Sequence, residues 1–500
     1  MQYIVMPDQM RLIEKQAFDQ GVPSLLLMEN AARAVFDAFQ KREGDVRGKS
    51  ALFLIGGGNN GGDGLALARL FALSGGDARL ILTREPKTPD ARANFAYAKA
   101  LGIPYIHWTE RSHPERLLPR TDYIFDAVFG LGFRGELPLL AARLFKAIKE
   151  WDTPVYALDV PSGFDSLTGE LAPGTLPALV TYTLGHLKIG QCLTRLPAVL
   201  GEVEVLPIGL PEDAYLSPTL SSLITTLEPA DLPSRLPKRA SDAHKGDAGR
   251  VLMYMGSMGM AGAAGFAAQA ALACLRSGAG LVTVVCEMEV IPIVQTLAPN
   301  ATCLPISKAL KSRPSYDVFA VGPGLSQSDT IFDNILKLWN PDKPSVWDAD
   351  ALNMLAERPM NLGSSAVLTP HPGEAARLLG MSAPDITFDP LGAGFELQRR
   401  YGGTVVLKDA HTLIRDASRT AVNLVGSPAL AKGGSGDALA GIIAALLAQT
   451  RGEDPFESAC TGCLWHGLAG RRAEQKLGTL SPLTDDVIAC LGEVALEPEG

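Results

Sequence analysis

Residues 51–71 read ALFLIGGGNNGGDGLALARLF, and this stretch indicates the fold class of the first half of the chain. The apolar run Ala51–Ile55 predicts a buried strand, the glycines after it predict a loop, and Leu65–Leu73 predicts a helix. Glycines let the backbone approach a ligand closely, and the first turn of a helix offers unpaired amides to a phosphate. The stretch therefore predicts a phosphate-binding turn in a parallel α/β domain.

The rest of the chain repeats this alternation of short apolar runs and helical segments. Further strands are predicted at Tyr123–Ala127, Val155–Leu158, Val251–Met255, Val318–Val321, Val346–Trp347, Ala366–Leu368 and Val405–Leu407. Such runs with helices between them predict parallel sheets covered on both faces. In these sheets ligands bind beyond the carboxyl ends of the strands, so the polar residues at those ends are the candidate site residues.

Size and charge restrict the class of protein. A chain of 500 residues accommodates two to three domains at roughly 150 residues each. The net charge of −9 argues against a nucleic-acid surface, because binding a phosphate backbone needs a basic patch. No segment has the pattern of a signal peptide or a membrane span, and the 7 cysteines are scattered as in a reducing compartment. We therefore expect a cytoplasmic enzyme without membrane or nucleic-acid partners.

One segment lacks the alternation. Residues 211–239 are rich in proline and serine and show little periodicity, as expected of an interdomain connection. The predicted domains are residues 1–210 and 235–500, with a linker at 211–234. The two halves share no convincing internal repeat, which favours two unrelated α/β domains over a duplication.

The glycine loop does not fit the usual nucleotide-binding motifs completely. Gly56, Gly58 and Gly61 have the spacing GxGxxG, but no ribose-binding acid is evident at the end of the second strand, where residues 81–84 read ILTR. The absence of GxxxxGK[ST] excludes a Walker-type nucleotide hydrolase.

Oxygen-bearing side chains are predicted to meet at the same edge of this sheet. Asn60, Asp126 and Ser162 can supply hard oxygen ligands to a small cation, and Asp159 can act as an acid or a base. Each residue taken singly is also compatible with a turn or a helix cap. Their shared position at one sheet edge favours a functional site.

Four motifs in the first half together resemble the NAD(P)HX epimerase family over about residues 5–210: NNGGDG (59–64), DAVFGLG (126–132), DVPSG (159–163) and TLGHLKIG (183–190). The resemblance implies an α/β/α sandwich of Rossmann type that interconverts the R and S epimers of hydrated NADH or NADPH. It implies a potassium ion held by Asn60, Asp126 and Ser162. The implied substrate contacts are Asn59, Asn60, Gly61, Gly62, Asp63, Gly130, Leu131, Gly132, Phe133, Arg134, Gly135, Glu136 and Asp159.

Residues 431–449, AKGGSGDALAGIIAALLAQ, carry the strongest signal in the second half. Gly433, Gly434 and Gly436 precede an apolar helix that is predicted to begin near Asp437. Successive amides at such a helix start form a nest for a phosphate or a developing oxyanion, and Asp437 is placed to take a proton from an attacking hydroxyl. The structural alternative is a glycine-rich cap with an acid that favours the helix dipole.

Further polar residues follow other predicted strands of the second half. His371 and Glu374 lie in PHPGEAARLLG, Lys408 lies in LKDAHTLI, and Asp348 and Asp350 lie in WDADALN. The lysine can meet a phosphate, whereas the two aspartates either orient the site or contact Mg²⁺.

Three motifs in order, SDAHKGDAGRV (241–251), HPGE (371–374) and GGSGDALAG (433–441), resemble the ADP/ATP-dependent NAD(P)HX dehydratase family over about residues 235–495. The resemblance implies a ribokinase-like fold. The implied substrate contacts are Ala263, Gly324, His371 and Asp437, and the implied nucleotide contacts are Lys408, Asp409, Ala410, His411, Thr412 and Gly436. Asp409 and Ser326 stand where the family commonly has glycine, and Leu131 in the first half stands where the epimerases often have threonine.

The sequence thus predicts a bifunctional repair enzyme, with Asp159 and Asp437 as catalytic residues. The predicted cofactors are K⁺ in the first half and Mg²⁺ with ADP or ATP in the second, and the resemblance implies a homo-oligomer. Three alternatives stay open: a ribokinase-like small-molecule or vitamin kinase fused to a nucleotide-binding module, a first half that binds without catalysis, and a dehydrogenase. The choices between ADP and ATP, and between hydrated NADH and hydrated NADPH, also stay open.

Overall fold

The computed structural model describes residues 3–112, 120–193, 196–216, 220, 223–258 and 261–497. The chain divides into two compact units, a first unit of residues 3–223 and a second unit that begins at Ile224. The segment 211–234 is divided between them. Ala214 is fully buried in the core of the first unit, whereas Ile224–Thr226 forms a strand of the second. The apolar residues among the prolines and serines of this segment pack into one unit or the other.

Strands and helices alternate along most of the chain. The strands are β1 Tyr3–Val5, β2 Ser50–Ile55, β3 Asp77–Leu82, β4 Tyr105–His107, β5 Tyr123–Ala127, β6 Val155–Leu158, β7 Val180–Leu184, β8 Leu187–Lys188, β9 Glu202–Leu206, β10 Ile224–Thr226, β11 Arg250–Tyr254, β12 Leu281–Cys286, β13 Thr302–Pro305, β14 Val318–Val321, β15 Ser345–Trp347, β16 Ala366–Leu368, β17 Thr404–Leu407, β18 Thr412–Arg415 and β19 Thr420–Asn423. The helices are α1 Pro7–Asp19, α2 Ser24–Glu43, α3 Asn59–Leu73, α4 Pro89–Ala100, α5 Leu139–Lys149, α6 Ile189–Leu193, α7 Leu232–Arg235, α8 Ala261–Arg276, α9 Ile291–Leu297, α10 Ile306–Ser312, α11 Asp329–Leu338, α12 Ala349–Glu357, α13 Pro372–Leu379, α14 Ala383–Phe388, α15 Pro390–Tyr401, α16 Ser435–Gln449, α17 Pro455–Leu477 and α18 Thr484–Leu496. Every strand predicted from the sequence is present.

The first unit contains a seven-stranded parallel sheet in the order β4-β3-β2-β5-β6-β7-β9. Its first six positions follow the doubly wound order in which two βαβ halves diverge from a switch point. That point lies between β2 and β5, so a crevice opens beyond their carboxyl ends. β1 and β8 pair in parallel with each other, outside this seven-stranded sheet.

The glycine-rich segment of the first unit is largely helical, which corrects the predicted helix start at Leu65. α3 begins at Asn59, so NNGGDG forms its first turns. A Cβ on Gly61 would lie 2.0 Å from the carbonyl oxygen of Gly56, and a Cβ on Gly64 would lie 2.5 Å from Ala127 Cβ. These glycines therefore let the helix pack closely on its own loop and on the neighbouring strand.

The strands of the second unit follow the order β13-β12-β11-β14-β15-β16-β17-β18-β19-β10. Neighbours from β13 to β17 are parallel, and β18 is antiparallel to both β17 and β19. α16 is buried over most of its length and packs closely on α8, because Gly441 brings its backbone against the carbonyl oxygen of Ala270. Among the described residues, no helix is long and apolar enough to cross a bilayer.

Candidate active sites

A cavity of about 840 Å³ opens at the switch point of the first unit. Residues that follow β2, β3, β5 and β6 form much of its wall. The predicted substrate contacts among its lining residues are Asn59, Asn60, Asp63, Gly130, Leu131, Gly132, Phe133, Arg134, Glu136 and Asp159. Gly61, Gly62 and Gly135 are not among them. Gly61 faces the Gly56 carbonyl and Gly62 faces the Met28 side chain, so these two glycines serve helix packing.

The three predicted potassium ligands lie around the start of the loop that follows β5. Asp126 is fully buried and accepts hydrogen bonds from the amide and hydroxyl of Ser162, at 2.8 and 2.6 Å. The Ser162 hydroxyl oxygen in turn accepts from the Phe129 amide at 2.8 Å. Asn60 lies against the same loop, because a Cβ on Gly130 would be 3.2 Å from its Oδ1. Both polar atoms of the Asn60 side chain are buried without a hydrogen-bond partner, as expected if a ligand completes them.

Asp159 is held in an uncommon backbone conformation beside a buried lysine. Its φ of 66° lies in the left-handed region. This conformation costs a non-glycine residue about 1–3 kcal/mol, and it persists only because the surrounding structure holds the residue in place. The Asp159 carboxylate accepts a hydrogen bond from the Lys188 Nζ, which also donates to the Leu184 carbonyl at 2.8 Å. Lys188 is 1% exposed. The structure therefore presents a preorganised carboxylate–ammonium pair to the cavity.

The sequence did not predict a role for Lys188 or Glu14, although both line the cavity. Burial, followed by the charge of Asp159, raises the pKa of Glu14 and raises that of Asp63 well above its ordinary range. Lys188 lies in the motif TLGHLKIG, which indicated the family but assigned the residue no task. In the folded unit, Lys188 at the end of β8 reaches Asp159, which follows β6.

Replacing Lys188 by Met should destabilise the first unit strongly. The substitution leaves the Asp159 carboxylate buried without its counter-ion, and breaking a buried pair in this way costs about 3–5 kcal/mol. Amide hydrogen exchange of β6 and β7 during urea titration measures the loss. Lys15→Met is the matched control, since Lys15 pairs with Asp19 at the surface and such pairs contribute about 0–1 kcal/mol. Equal losses in the two variants would contradict the assigned role of Lys188.

The second unit brings several predicted site residues together at the carboxyl ends of β14 to β17. Lys408 follows β17 and donates to Asp348 Oδ1 at 2.8 Å, while Asp348 follows β15. The amide of Lys408 donates to the Pro370 carbonyl at 2.8 Å, which ties it to the loop of His371. Burial alone would lower the pKa of Lys408, but Asp348 and Glu374 outweigh burial and raise it. Lys408 therefore stays charged at the base of the site.

The glycine segment 433–436 leads into α16 next to Lys408. Gly434 has φ of 91° and α16 begins at Ser435, two residues before the predicted start. The amides of Gly436 and Asp437 lie in the first turn and have no acceptor within the helix. A Cβ on Gly436 would lie 3.0 Å from Lys408 Nζ. The Lys408 ammonium and the free amides of the helix start together form a cradle of hydrogen-bond donors for a phosphate.

Asp437 has the perturbed titration expected of a general base. Burial, followed by the charge of Asp348, raises the pKa of the Asp437 carboxyl to about 7. A base with a pKa near the working pH combines a useful ionised fraction with a strong pull on the proton. The first turn of α16 thus carries a proton acceptor beside a phosphate cradle.

The remaining predicted substrate contacts border the same sheet edge. A Cβ on Gly324 would lie 2.3 Å from Ala263 Cβ, so α8 and the loop after β14 touch at this point. Ser326 has φ of 62°, which explains why glycine is favoured there. Its amide donates to Asp350 at 3.0 Å and its hydroxyl lies 3.1 Å from that of Ser257, so hydrogen bonds hold the strained residue.

His371 caps α13 through its ring. Its Nδ1 accepts from the amide of Gly373 at 3.0 Å, while Glu374 accepts from the His371 amide at 2.9 Å. Burial, followed by the charge of Lys408, lowers the pKa of His371, so the ring is neutral at pH 7. Asp409, the second residue at a family glycine position, is exposed, and its side chain accepts from the Ala410 amide at 2.8 Å.

Comparisons with known proteins match the two parts of the chain to two different family models. The family model described as "YjeF-related protein N-terminus" matches residues 24–190, and the model described as "NAD(P)H-hydrate dehydratase" matches residues 251–491. A bifunctional NAD(P)H-hydrate repair enzyme Nnr from Coxiella burnetii is 37% identical over 485 residues, which cover 96% of each chain. The chain belongs to the family of bifunctional NAD(P)H-hydrate repair enzymes. A second NAD(P)H-hydrate repair enzyme, from Escherichia coli, is 35% identical over 98% of this chain and 93% of its own.

Two solved structures are similar in fold to the second unit. An ADP/ATP-dependent NAD(P)H-hydrate dehydratase from Bacillus subtilis, co-crystallised with ATP and Mg²⁺, is 29% identical with a TM-score of 0.50, covering 55% of this chain and 99% of its own. A ribokinase-like superfamily protein from Enterococcus faecalis is 26% identical with a TM-score of 0.50, covering 55% of this chain and 96% of its own. The predicted family and the predicted α/β fold class, with its ribokinase-like second half, are confirmed.

Proposed function

We propose that the second unit dehydrates the S epimer of hydrated NADH or NADPH, and that the first unit supplies this epimer from the R form. The observation that supports the dehydratase assignment best is Asp437, a raised-pKa carboxyl in the first turn of α16, beside the Lys408 ammonium. The order of the two units is that of the NAD(P)H-hydrate repair family, whose named members align with nearly the whole chain.

Dehydration begins with activation of the hydroxyl at C6 of the reduced nicotinamide ring. Asp437 takes the hydroxyl proton while the oxygen attacks the terminal phosphorus of the nucleotide, whose bond to its bridging oxygen breaks. Phosphate then leaves C6 and a proton leaves C5, which restores the ring double bond. Phosphate is a far better leaving group than hydroxide, so one nucleotide is consumed per cofactor repaired.

The phosphate cradle stabilises the transferring group. The amides of Gly436 and Asp437 and the charge of Lys408 are aimed at the place where negative charge develops. Within the described part of the chain, no group of three or more His, Cys, Asp or Glu side chains is arranged to hold a metal ion. Mg²⁺ would enter with the nucleotide, and its charge would offset that of the phosphates.

Epimerisation requires a bond at C6 to break and re-form within the first cavity. Asp159 is the proposed acid and base, and Lys188 is the residue that positions its carboxylate by hydrogen bonding. The peptide carbonyl of Asp159 accepts from Thr183 and from Gln191, at 3.2 and 3.4 Å, which fixes the strained backbone. These contacts preorganise the carboxylate for proton transfer.

Potassium fits the oxygen atoms beneath the same cavity. The orphaned Asn60 side chain lies beside a loop whose base is formed by Asp126 and Ser162, and such neutral and anionic oxygens suit a hard cation. The ion would supply a fixed positive charge there.

Replacing K⁺ by tetramethylammonium should lower epimerisation by about 10-fold, because its four methyl groups keep oxygen ligands from contacting the positive charge directly. In an Asn60→Leu variant the rate should be low and independent of K⁺. Interconversion of the purified R and S epimers, followed chromatographically without nucleotide, measures both. An Asn60→Leu enzyme that still responds fully to K⁺ would place the ion elsewhere.

Cytoplasmic location stays a prediction from the sequence, and self-association stays a prediction of the family resemblance. The predicted site residues of both units are likewise proposals, supported by their positions near the carboxyl ends of the strands and in the first turn of α16.

The stoichiometry of nucleotide use tests the dehydratase proposal. Purified S epimer with ATP and Mg²⁺ should yield one NADH, one ADP and one inorganic phosphate per turnover. A small-molecule or vitamin kinase would consume ATP without releasing phosphate and would leave a phosphorylated product. Accumulation of such a product from a hydroxymethyl pyrimidine or a sugar, with no NADH formed, would overturn the proposal.

A further inference from the structure

Two basic residues follow β3, the strand that pairs with β2, which leads into the glycine loop. In the doubly wound order, the carboxyl end of this strand carries the group that reads the adenosine ribose: an acid for a 2′-hydroxyl, or an arginine for a 2′-phosphate. That strand here is β3, which ends at Leu82. Arg84 and Lys87 follow it and line the cavity. This is the position at which the sequence lacks the ribose-binding acid of the dinucleotide motif.

The one carboxylate in this turn points elsewhere. Glu85 lies between the two basic residues, but its Oε1 is 3.3 Å from His107 Nδ1 and it is not among the cavity-lining residues. The side chain that can reach a ribose at this point is therefore cationic.

The backbone of this turn is fixed against the glycine loop. The Lys87 amide donates to the Gly57 carbonyl at 2.9 Å, and a Cβ on Gly57 would lie 3.2 Å from Arg84 Cβ. The amide of Thr83 donates to the Ile55 carbonyl at 2.9 Å. Arg84 therefore leaves the backbone next to the turn that receives a dinucleotide's pyrophosphate in this fold.

The charge at this end of the cavity is unbalanced. Within the described residues, neither Arg84 nor Lys87 takes part in an ion pair. Asp90 also lines the cavity, but it lies in the first turn of α4, where the helix dipole offsets part of its charge. Asp63 lines the cavity as well, but burial raises its pKa well above the ordinary range, which disfavours its charged form. Arg84 and Lys87 therefore keep positive charge that Asp90 alone does not balance.

We propose that Arg84 and Lys87 bind the 2′-phosphate of hydrated NADPH and make it the preferred substrate of the first unit. The guanidinium matches a phosphate with two parallel hydrogen bonds, and Lys87 adds a second charge. The adenosine end then lies beyond β3, and the nicotinamide ring lies beyond β6, near Asp159 and Lys188. The inference rests on the proposed epimerase function, whose substrate it specifies.

Epimerisation without nucleotide tests the inference, because the dehydratase is then idle. The wild-type kcat/KM should be at least about 10-fold higher for hydrated NADPH than for hydrated NADH, as expected from hydrogen bonds to a charged group. Arg84→Ala should lower the value for hydrated NADPH by about 10- to 100-fold and leave that for hydrated NADH within about 3-fold. Arg84→Glu should reverse the preference. Arg33→Ala, at an exposed position on α2 outside the cavity, is the control and should change neither value.

In the epimerisation assay, the inference would be overturned by no preference in the wild-type enzyme, or by equal losses with both substrates in Arg84→Ala. Titration of NADP⁺ and NAD⁺ into the wild-type chain and into Arg84→Ala, whose second units are identical, separates the inference from the proposed function. A chain that epimerises neither substrate but binds NADP⁺ more tightly, with that advantage lost in Arg84→Ala, would retain the phosphate site and reject the epimerase. Equal affinities for NADP⁺ and NAD⁺ would reject the phosphate site.

Discussion

Asp437→Asn should reduce the kcat of dehydration by about 10²- to 10⁴-fold, the contribution of a positioned general base. Asparagine keeps the size of the side chain but cannot accept the hydroxyl proton. The wild-type rate should also fall as the pH drops below about 7, because the raised pKa of Asp437 means that its basic form is lost there. Stopped-flow measurement of NADH absorbance with purified S epimer, from pH 5.5 to 9, shows both effects.

The pH profile separates a catalytic role of Asp437 from a structural one. The residual rate of Asp437→Asn should lack the limb near pH 7, and its epimerisation rate should equal that of the wild type. Asp333→Asn, at an exposed carboxylate on α11 that pairs with Arg358, is the control and should keep both activities. An Asp437→Asn enzyme with near-normal turnover, or with an unchanged profile, would remove Asp437 from the mechanism.

Asp159→Asn should lower epimerisation by about 10²- to 10⁴-fold and leave dehydration of the S epimer intact. The amide cannot cycle a proton, and it leaves the buried Lys188 without its counter-ion. Chromatographic interconversion of the epimers without nucleotide measures the first effect, and NADH recovery from pure S epimer measures the second.

Loss of folding has to be separated from loss of chemistry in this variant. Amide hydrogen exchange of β6 and β7 reports whether the first unit is intact, and Asp159→Glu restores the charge to the pair without restoring its position. Asp77→Asn is the matched control, because Asp77 begins β3 at the opposite edge of the same sheet and is half exposed. Unchanged consumption of the R epimer by a folded Asp159→Asn enzyme would move the acid–base role to another residue.

Sequence patterns predicted the strands well because buried parallel strands are short, apolar and bounded by glycine and proline. They placed the start of α3 too late. Glycine disfavours a helix by about 1 kcal/mol per residue, so NNGGDG read as a loop. Packing of Gly61 against Gly56 and of Gly64 against Ala127 overrides that propensity. The contact of α3 with β5 joins residues far apart in the sequence, so local periodicity does not show it.

The same limit applies to the sites. Asp159 was predicted because it ends a strand, and Asp437 because it begins a helix after glycines. Lys188 and Glu14 could not be assigned, since they come from β8 and α1 and meet Asp159 only in the folded unit. The proline- and serine-rich segment likewise read as a linker, although Ala214 and Ile224–Thr226 pack into the units on either side.

Recovery of NADH from an equal mixture of R and S hydrated NADH, with ATP, Mg²⁺ and K⁺, tests the assignment of two activities to one chain most directly. We expect complete recovery of both epimers, dependent on nucleotide. Asp159→Asn should stop at the S share, and Asp437→Asn should recover almost nothing. Wild-type recovery that ends at the S share would contradict the epimerase assignment, and no recovery by the folded enzyme with either ADP or ATP would contradict the dehydratase assignment.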